Sequence, residues 1–186
     1  MKVSACSVAD CAQVAADVVE RGWAAADRLF FVGGSHSGFI GAHLAGQHPT
    51  LFQAFSLRNA VTNIAAMAAA TDIGDWCLEE VGLPGAHDMA AQLGPDAEAA
   101  KKAMVNTTAR ERFRLAALRC SRIAPLLQAE MFAASPHAHV HSVVRPVLQC
   151  IGDSDRRVPP FQARQCVFLH VPCPRTQLLQ ADFAPT

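Results

Sequence analysis

The sequence predicts an α/β fold: a mostly parallel sheet with helices on both faces. Three observations carry this. Short apolar runs at 29–32, 52–57 and 146–151 have the length of strands in a covered sheet. Stretches with helical spacing lie between and before them, as Val8, Cys11, Val14, Ala15, Val18 and Val19 do. Glycine and proline signals join the two kinds of segment tightly, at Gly22, Gly33-Gly34 and His48-Pro49. Strand and helix alternating in this way imply parallel pairing.

Taken in order, Val8–Arg21 reads as a helix ended by Gly22, and Asp27-Arg28 leads into the strand Leu29–Val32. A second helix carries Phe39, Ile40, His43, Leu44 and Gln47 and stops at His48-Pro49. Phe52–Leu57 is the next strand, ending at Arg58-Asn59, the sheet edge where loops carry function. Ile64–Ala70 is a short alanine-rich helix. Asp72 and Asp75, three apart, could bind a cation, but capping the helix that begins near Trp76 is the plainer expectation. Pro95–Met104 is helical by propensity, and Thr108-Ala109-Arg110-Glu111 resembles a capping box opening a basic helix to Arg122. Pro146–Gly152 is a strand, Gln162–Leu169 a helix and Thr176–Gln180 a last strand.

The stretch Val32-Gly33-Gly34-Ser35-His36-Ser37-Gly38 is the centre of the chain. A strand ends, two glycines enter a turn too tight for side chains, and a helix starts behind Ser35. This is the layout of a nucleophile elbow, which lifts a serine hydroxyl above the sheet. The usual pattern is G-x-S-x-G, and here the second glycine comes one residue late, at Gly38, with Ser37 in its place. An ordinary glycine-rich βα connection and a phosphate-binding turn are the alternatives. No G-x-G-x-x-G or Gly-Lys-Ser/Thr supports the latter. Asp155, just past the strand ending at Gly152, stands where such a sheet would keep an acid.

Composition bounds the rest. The 186 residues are 51% apolar, enough for one domain with a sizeable core. Sixteen basic and sixteen acidic residues cancel, which argues against a nucleic-acid or anionic-membrane partner. No apolar run is long enough to span a bilayer, and Met1-Lys2-Val3-Ser4 lacks a signal-peptide core, so a cytoplasmic protein is expected. The seven cysteines are odd in number and lack C-x-x-C spacing, as in reduced thiols. His137, His139 and His141 would share one side of an extended chain and could hold zinc. With no acid or cysteine nearby, exposed loop histidines are the plainer expectation. No metal and no cofactor are expected.

Gly33-Gly34-Ser35-His36-Ser37-Gly38-Phe39 resembles the G-G-S-H-G-G-F of acylaminoacyl-peptidases, α/β-hydrolases in the prolyl oligopeptidase family of serine peptidases. Arg58-Asn59, Thr71-Asp72-Ile73, Asp75-Trp76-Cys77, Ala129-Glu130-Met131, Ser135-Pro136 and Gly152–Pro159 fall in that family's order. The resemblance runs from about Val8 to the C-terminus and skips a probable helical insertion at about 94–128. It implies that Ser35 is the nucleophile, Asp155 the triad acid and the His36 backbone N–H one oxyanion donor. It also implies a short N-acylated peptide as substrate and a homo-oligomer as the assembled form.

The same resemblance implies missing parts. The family's domain begins with a strand and a His-Gly-Gly-Pro loop supplying a second oxyanion donor, and a β-propeller precedes it. Neither is found before Val8. The triad histidine should follow the strand at Thr176–Gln180, where this chain reads Ala181-Asp182-Phe183-Ala184-Pro185-Thr186. The 186 residues are therefore expected to be a partial hydrolase domain, truncated at both ends, with little activity by itself. An esterase of the same fold, or a non-catalytic binding protein using the insertion, are the alternatives. The peptidase reading expects strained dihedrals at Ser35, and Ser35 and Asp155 on one sheet edge with oxygens about 7–8 Å apart. It expects a gap between them that no other histidine fills. The insertion is expected to be mostly helical and loosely packed.

Overall fold

The structure, a computed structural model, describes residues 3–68, 70–82, 124–169 and 177–181. Helix α1 (Val3–Glu20) opens the chain and ends at Gly22, whose φ of 71° suits only a residue without a Cβ. Strand β1 (Phe30–Gly34), helix α2 (His36–Gln47) and strand β2 (Ala54–Arg58) follow as one βαβ unit. Two short helices, α3 (Ile64–Met67) and α4 (Gly74–Glu80), lie beyond β2. Helix α5 (Ala124–Ala133) runs into a 3-10 helix at Pro136–Ser142. Strand β3 (Val147–Gly152), helix α6 (Phe161–Leu169) and strand β4 (Gln177–Ala181) complete the described chain.

The four strands form one parallel sheet in the order β1-β2-β3-β4. Gly34 pairs with Arg58 and Arg58 with Cys150, so the carboxyl ends of β1, β2 and β3 finish nearly level. That alignment gathers the residues after each strand along one edge.

Phe31, Phe55, Leu57 and Val147 turn to the face covered by α1 and α2, where they join Val8, Ala42, Leu44, Ala45 and Phe52 in a core. The rings of Phe31, Phe52 and Phe55 meet with centroids 5.6–6.0 Å apart. A second core lies at the carboxyl edge, formed by Phe39, Val61, Ile64, Met67, Cys77, Leu78, Met131 and Val158. It draws α3, α4, α5 and the loop after β3 around the start of α2. On β1 the alternate residues Phe30 and Val32 are 63% and 80% exposed. They stand at an edge that pairs with no other strand among the described residues.

Several expectations shift. Strand β1 runs through both glycines to Gly34, two residues past its expected end at Val32, while α2 starts at His36, directly behind Ser35 as expected. The helix near Trp76 begins at Gly74 behind Ile73, with no side-chain cap; Asp72 instead sits 4.0 Å from the Arg157 Nε. The cap position falls to Ile73, whose apolar side chain has no acceptor, and Asp72 lies one residue ahead of it. His137, His139 and His141 lie on a 3-10 turn, so they do not share a side. His137 is buried, His139 half-buried and His141 exposed. Pro136 starts that turn, and the His137 N–H donates to the Thr62 carbonyl, which draws the segment inward. The expected helices at 95–104 and 108–122, Cys120 and Cys173 lie outside the described residues. So does the expected insertion, up to its last few residues in α5.

Candidate active site

Ser35 sits between β1 and α2 with φ 54° and ψ −121°, a conformation that costs a non-glycine residue roughly 1–3 kcal/mol. Its neighbours hold it there. The Ser35 N–H donates to the Arg58 carbonyl at 3.0 Å, and its own carbonyl accepts the Phe39 N–H at 3.0 Å. The glycines make the turn possible. A Cβ on Gly33 would lie 2.8 Å from the Ser37 carbonyl oxygen, and one on Gly34 3.3 Å from the Arg58 Nε. Ser37 replaces the motif glycine without harm because its hydroxyl works within the turn. It accepts the Gly34 N–H at 3.0 Å and donates to the Gly34 carbonyl at 2.9 Å.

The Ser35 side chain is exposed, and the His36 N–H behind it opens α2, one of the helix donors with no intrahelical partner. The His36 imidazole is directed elsewhere. It stacks on Phe39 at 5.9 Å, meets Trp76 edge-on at 5.7 Å, and brings Nε2 to 3.5 Å from the buried Glu80 carboxylate.

Asp155 follows β3 as Ser35 follows β1, with β2 between them. The axes of β1 and β3 lie two strand intervals apart, roughly 9–10 Å at the usual spacing. One carboxylate oxygen, Oδ1, accepts the Arg157 N–H at 2.9 Å and the Val158 N–H at 3.0 Å. The loop around it is tied down on every side. Thr71 Oγ1 donates to the Arg157 carbonyl at 2.7 Å, and Arg164 reaches Asp153 at 2.8 Å. Among the described residues no histidine hydrogen-bonds the Asp155 carboxylate or the Ser35 hydroxyl.

The remaining imidazoles have structural surroundings. His43 lies inside, with Nε2 3.2 Å from the Ala134 carbonyl and Nδ1 2.8 Å from the Gln47 amide. Burial, and secondarily the nearby His139, lowers its pKa to about 4, against the weaker effect of the Ala134 carbonyl. Burial also lowers the pKa of His137, whose ring nitrogens have no hydrogen-bond partner among the described residues. No group of three metal-ligating side chains gathers among the described residues.

The profile of the prolyl oligopeptidase family matches residues 3–94, which carry β1, the Ser35 turn and α2. The match covers just under half of the chain, the half that holds Ser35. The acylamino-acid-releasing enzyme of Homo sapiens is 34% identical over 134 residues, 72% of this chain and 14% of the relative. That of Arabidopsis thaliana is 32% identical over 158 residues, 85% of this chain and 17% of the relative. This chain thus spans about one sixth of the length of such relatives. Among solved structures, an acylaminoacyl peptidase from Pyrococcus horikoshii superposes with a TM-score of 0.59 at 16% identity. That match covers 93% of this chain and 22% of the other. It establishes the α/β-hydrolase fold.

Sequence reading singled out Ser35, His36 and Asp155 as candidates and assigned no role to Asn59, Glu80 or Gln162. Asn59 carries a φ of 44°, which asparagine tolerates better than most residues, and its place just after a parallel strand was the available signal. Glu80 and Gln162 sit on helices among apolar residues, and nothing in their local sequence marks them.

Proposed function

We propose that this chain provides the nucleophile and the acid of a serine peptidase acting on short N-acylated peptides. The observation that carries this is Ser35, held in a strained turn on the same sheet edge as Asp155. The Ser35 hydroxyl attacks the scissile carbonyl carbon while a base takes its proton. The developing oxyanion accepts the His36 N–H at the positive end of α2. The tetrahedral intermediate expels the peptide amine, which takes up that proton, and the acyl group stays on Ser35 until water releases it.

Asp155 orients the base and stabilises its charged form. With Oδ1 held by two main-chain donors, Oδ2 is left to accept an imidazole N–H. One imidazole with a hydrogen bond on each side suits the interval between β1 and β3. That base is not among the described histidines. Cys11, Cys77, Cys150 and Cys166 form no disulfide, in keeping with a cytoplasmic setting, and no described helix is long and apolar enough to cross a membrane. The resemblance also supports self-association of the assembled peptidase.

A fluorophosphonate probe tests this on the full chain, with imidazole added to supply the base. Labelling at Ser35 that rises at least tenfold with imidazole, and disappears in Ser35→Ala, is the expected result. No Ser35-dependent labelling under either condition would leave the chain as a binding protein.

A further inference from the structure

The loop that carries Asp155 begins at Gly152 and ends at Gln162, and the segment after β2 grips both ends. At the first, the Asn59 side chain brackets Gly152 completely. Its Oδ1 accepts the Gly152 N–H at 3.1 Å, and its Nδ2 donates to the Gly152 carbonyl at 3.5 Å. At the second, the buried Gln162 Oε1 accepts the Thr62 and Asn63 N–H groups at 3.0 and 2.8 Å. Gln162 Nε2 donates to the Asn63 carbonyl at 3.1 Å, and Thr62 Oγ1 donates to the Gln162 carbonyl at 2.7 Å.

Asn59 departs from ordinary backbone to reach Gly152. Its φ of 44° lies in the left-handed region, while its N–H still donates to the Cys150 carbonyl at 2.9 Å as the last bond between β2 and β3. The strand thus ends and turns at one residue, and the turn aims the carboxamide across to β3. The preceding residue, Arg58, holds the Ser35 N–H. One dipeptide therefore touches both halves of the site, three residues short of Asp155 on one side and at Ser35 itself on the other.

We infer that Asn59 is a positioning residue for Asp155, acting through Gly152 to fix where the carboxylate stands relative to Ser35. The inference rests on the assignment of Asp155 as the acid. The geometry supplies the means. Asp155 donates its own N–H to the Gly152 carbonyl at 3.3 Å, the same oxygen that Asn59 holds. The clamp therefore passes through one shared atom to the Asp155 main chain, and from there to the turn in which Arg157 and Val158 hold Oδ1.

The decisive variant is Asn59→Gly, which keeps the left-handed backbone and removes only the clamp. In the full 186-residue chain, amide hydrogen exchange and proton chemical shifts are followed at Gly152, Asp155, Arg157 and Val158, with Phe55 and Phe39 as references. Loss of the clamp is expected to speed exchange about tenfold or more at the first four positions. It is also expected to move the Arg157 and Val158 amide shifts, which report contact with the carboxylate, and to leave the reference amides unchanged. Asn59→Asp keeps the acceptor for the Gly152 N–H and should fall between the two, and it carries the same test if Asn59→Gly does not fold. Unchanged exchange and shifts at Arg157 and Val158 would overturn the inference, as would uniformly faster exchange across the sheet. Neither readout uses the reactivity of Ser35, so this result and the fluorophosphonate result can fail separately.

Discussion

Gly38 and Ala60 meet so closely that a Cβ on the glycine would lie 2.8 Å from the Ala60 Cβ and 3.0 Å from its Cα. This contact seats the first turn of α2 against the segment leaving β2, and it explains why the motif's second glycine stands at 38. The Ala60 Cβ and Cα are fixed to the chain path and cannot swing aside. Gly38→Ala is therefore expected to destabilise the chain by about 1–3 kcal/mol. Thermal unfolding should show a midpoint lower by several degrees. Gly22→Ala is a useful contrast, because nothing lies within 4 Å of its Cβ position and only its φ of 71° resists the change.

Removing the Gln162 carboxamide should cost more than an average hydrogen bond. Gln162→Ala strands the Thr62 and Asn63 N–H groups that its oxygen now satisfies, one of them buried. A loss of about 3 kcal/mol is expected in denaturant unfolding, and Gln162→Glu should not rescue it, because a buried carboxylate oxygen would face the Asn63 carbonyl that Nε2 now donates to. Equal stability of Gln162→Ala and the parent would show that water replaces the amide.

Acid should weaken the fold from about pH 6.5 downward. His43, lowered from 6.5 to about 4, stays neutral in the folded chain while the unfolded chain takes up its proton near 6.5. Its contribution is complete above pH 6.5 and is lost as the pH falls towards 4, by roughly 3 kcal/mol in all. His137 acts in the same direction. Unfolding free energies between pH 7 and 4 should fall with pH in the parent chain, and less steeply in His43→Gln. Parallel curves would assign the acid sensitivity to other groups.

Thiol chemistry should divide the cysteines. The surroundings of Cys166 push its pKa up to about 11, against the opposing hydrogen bond of Gln149, and Cys77 is fully buried. Iodoacetamide at pH 8 should modify Cys11, which is half-buried on α1, well before either. Mass spectrometry of the modified peptides gives the order.

The elements that sequence reading located best are those whose signal is local. The apolar run before Gly33-Gly34 marked β1 and the strained Ser35 behind it, and parallel connections placed Ser35 and Asp155 on one edge. Signals failed where a distant partner decided the outcome. Asp72 looked like a helix cap, yet Ile73 takes the cap position and Asp72 faces Arg157, 85 residues further along. His137 looked exposed, yet its main-chain bond to Thr62, 75 residues earlier in number, draws it in. Asn59 and Gln162 owe their roles to contacts 93 to 100 residues away along the chain. Such pairings leave no periodicity to read.

The flank of β1, which no described residue covers, has a practical result for anyone who makes this polypeptide. Phe30 and Val32 offer a sticky ribbon whose main-chain groups are ready to template another strand. In a crowded cell, newly made copies should zip together or recruit chaperones, and overproduction should fill inclusion bodies rather than the supernatant. A lysine at position 32, on the solvent side of that ribbon, should keep more of the product in solution after centrifugation without touching the Ser35 turn.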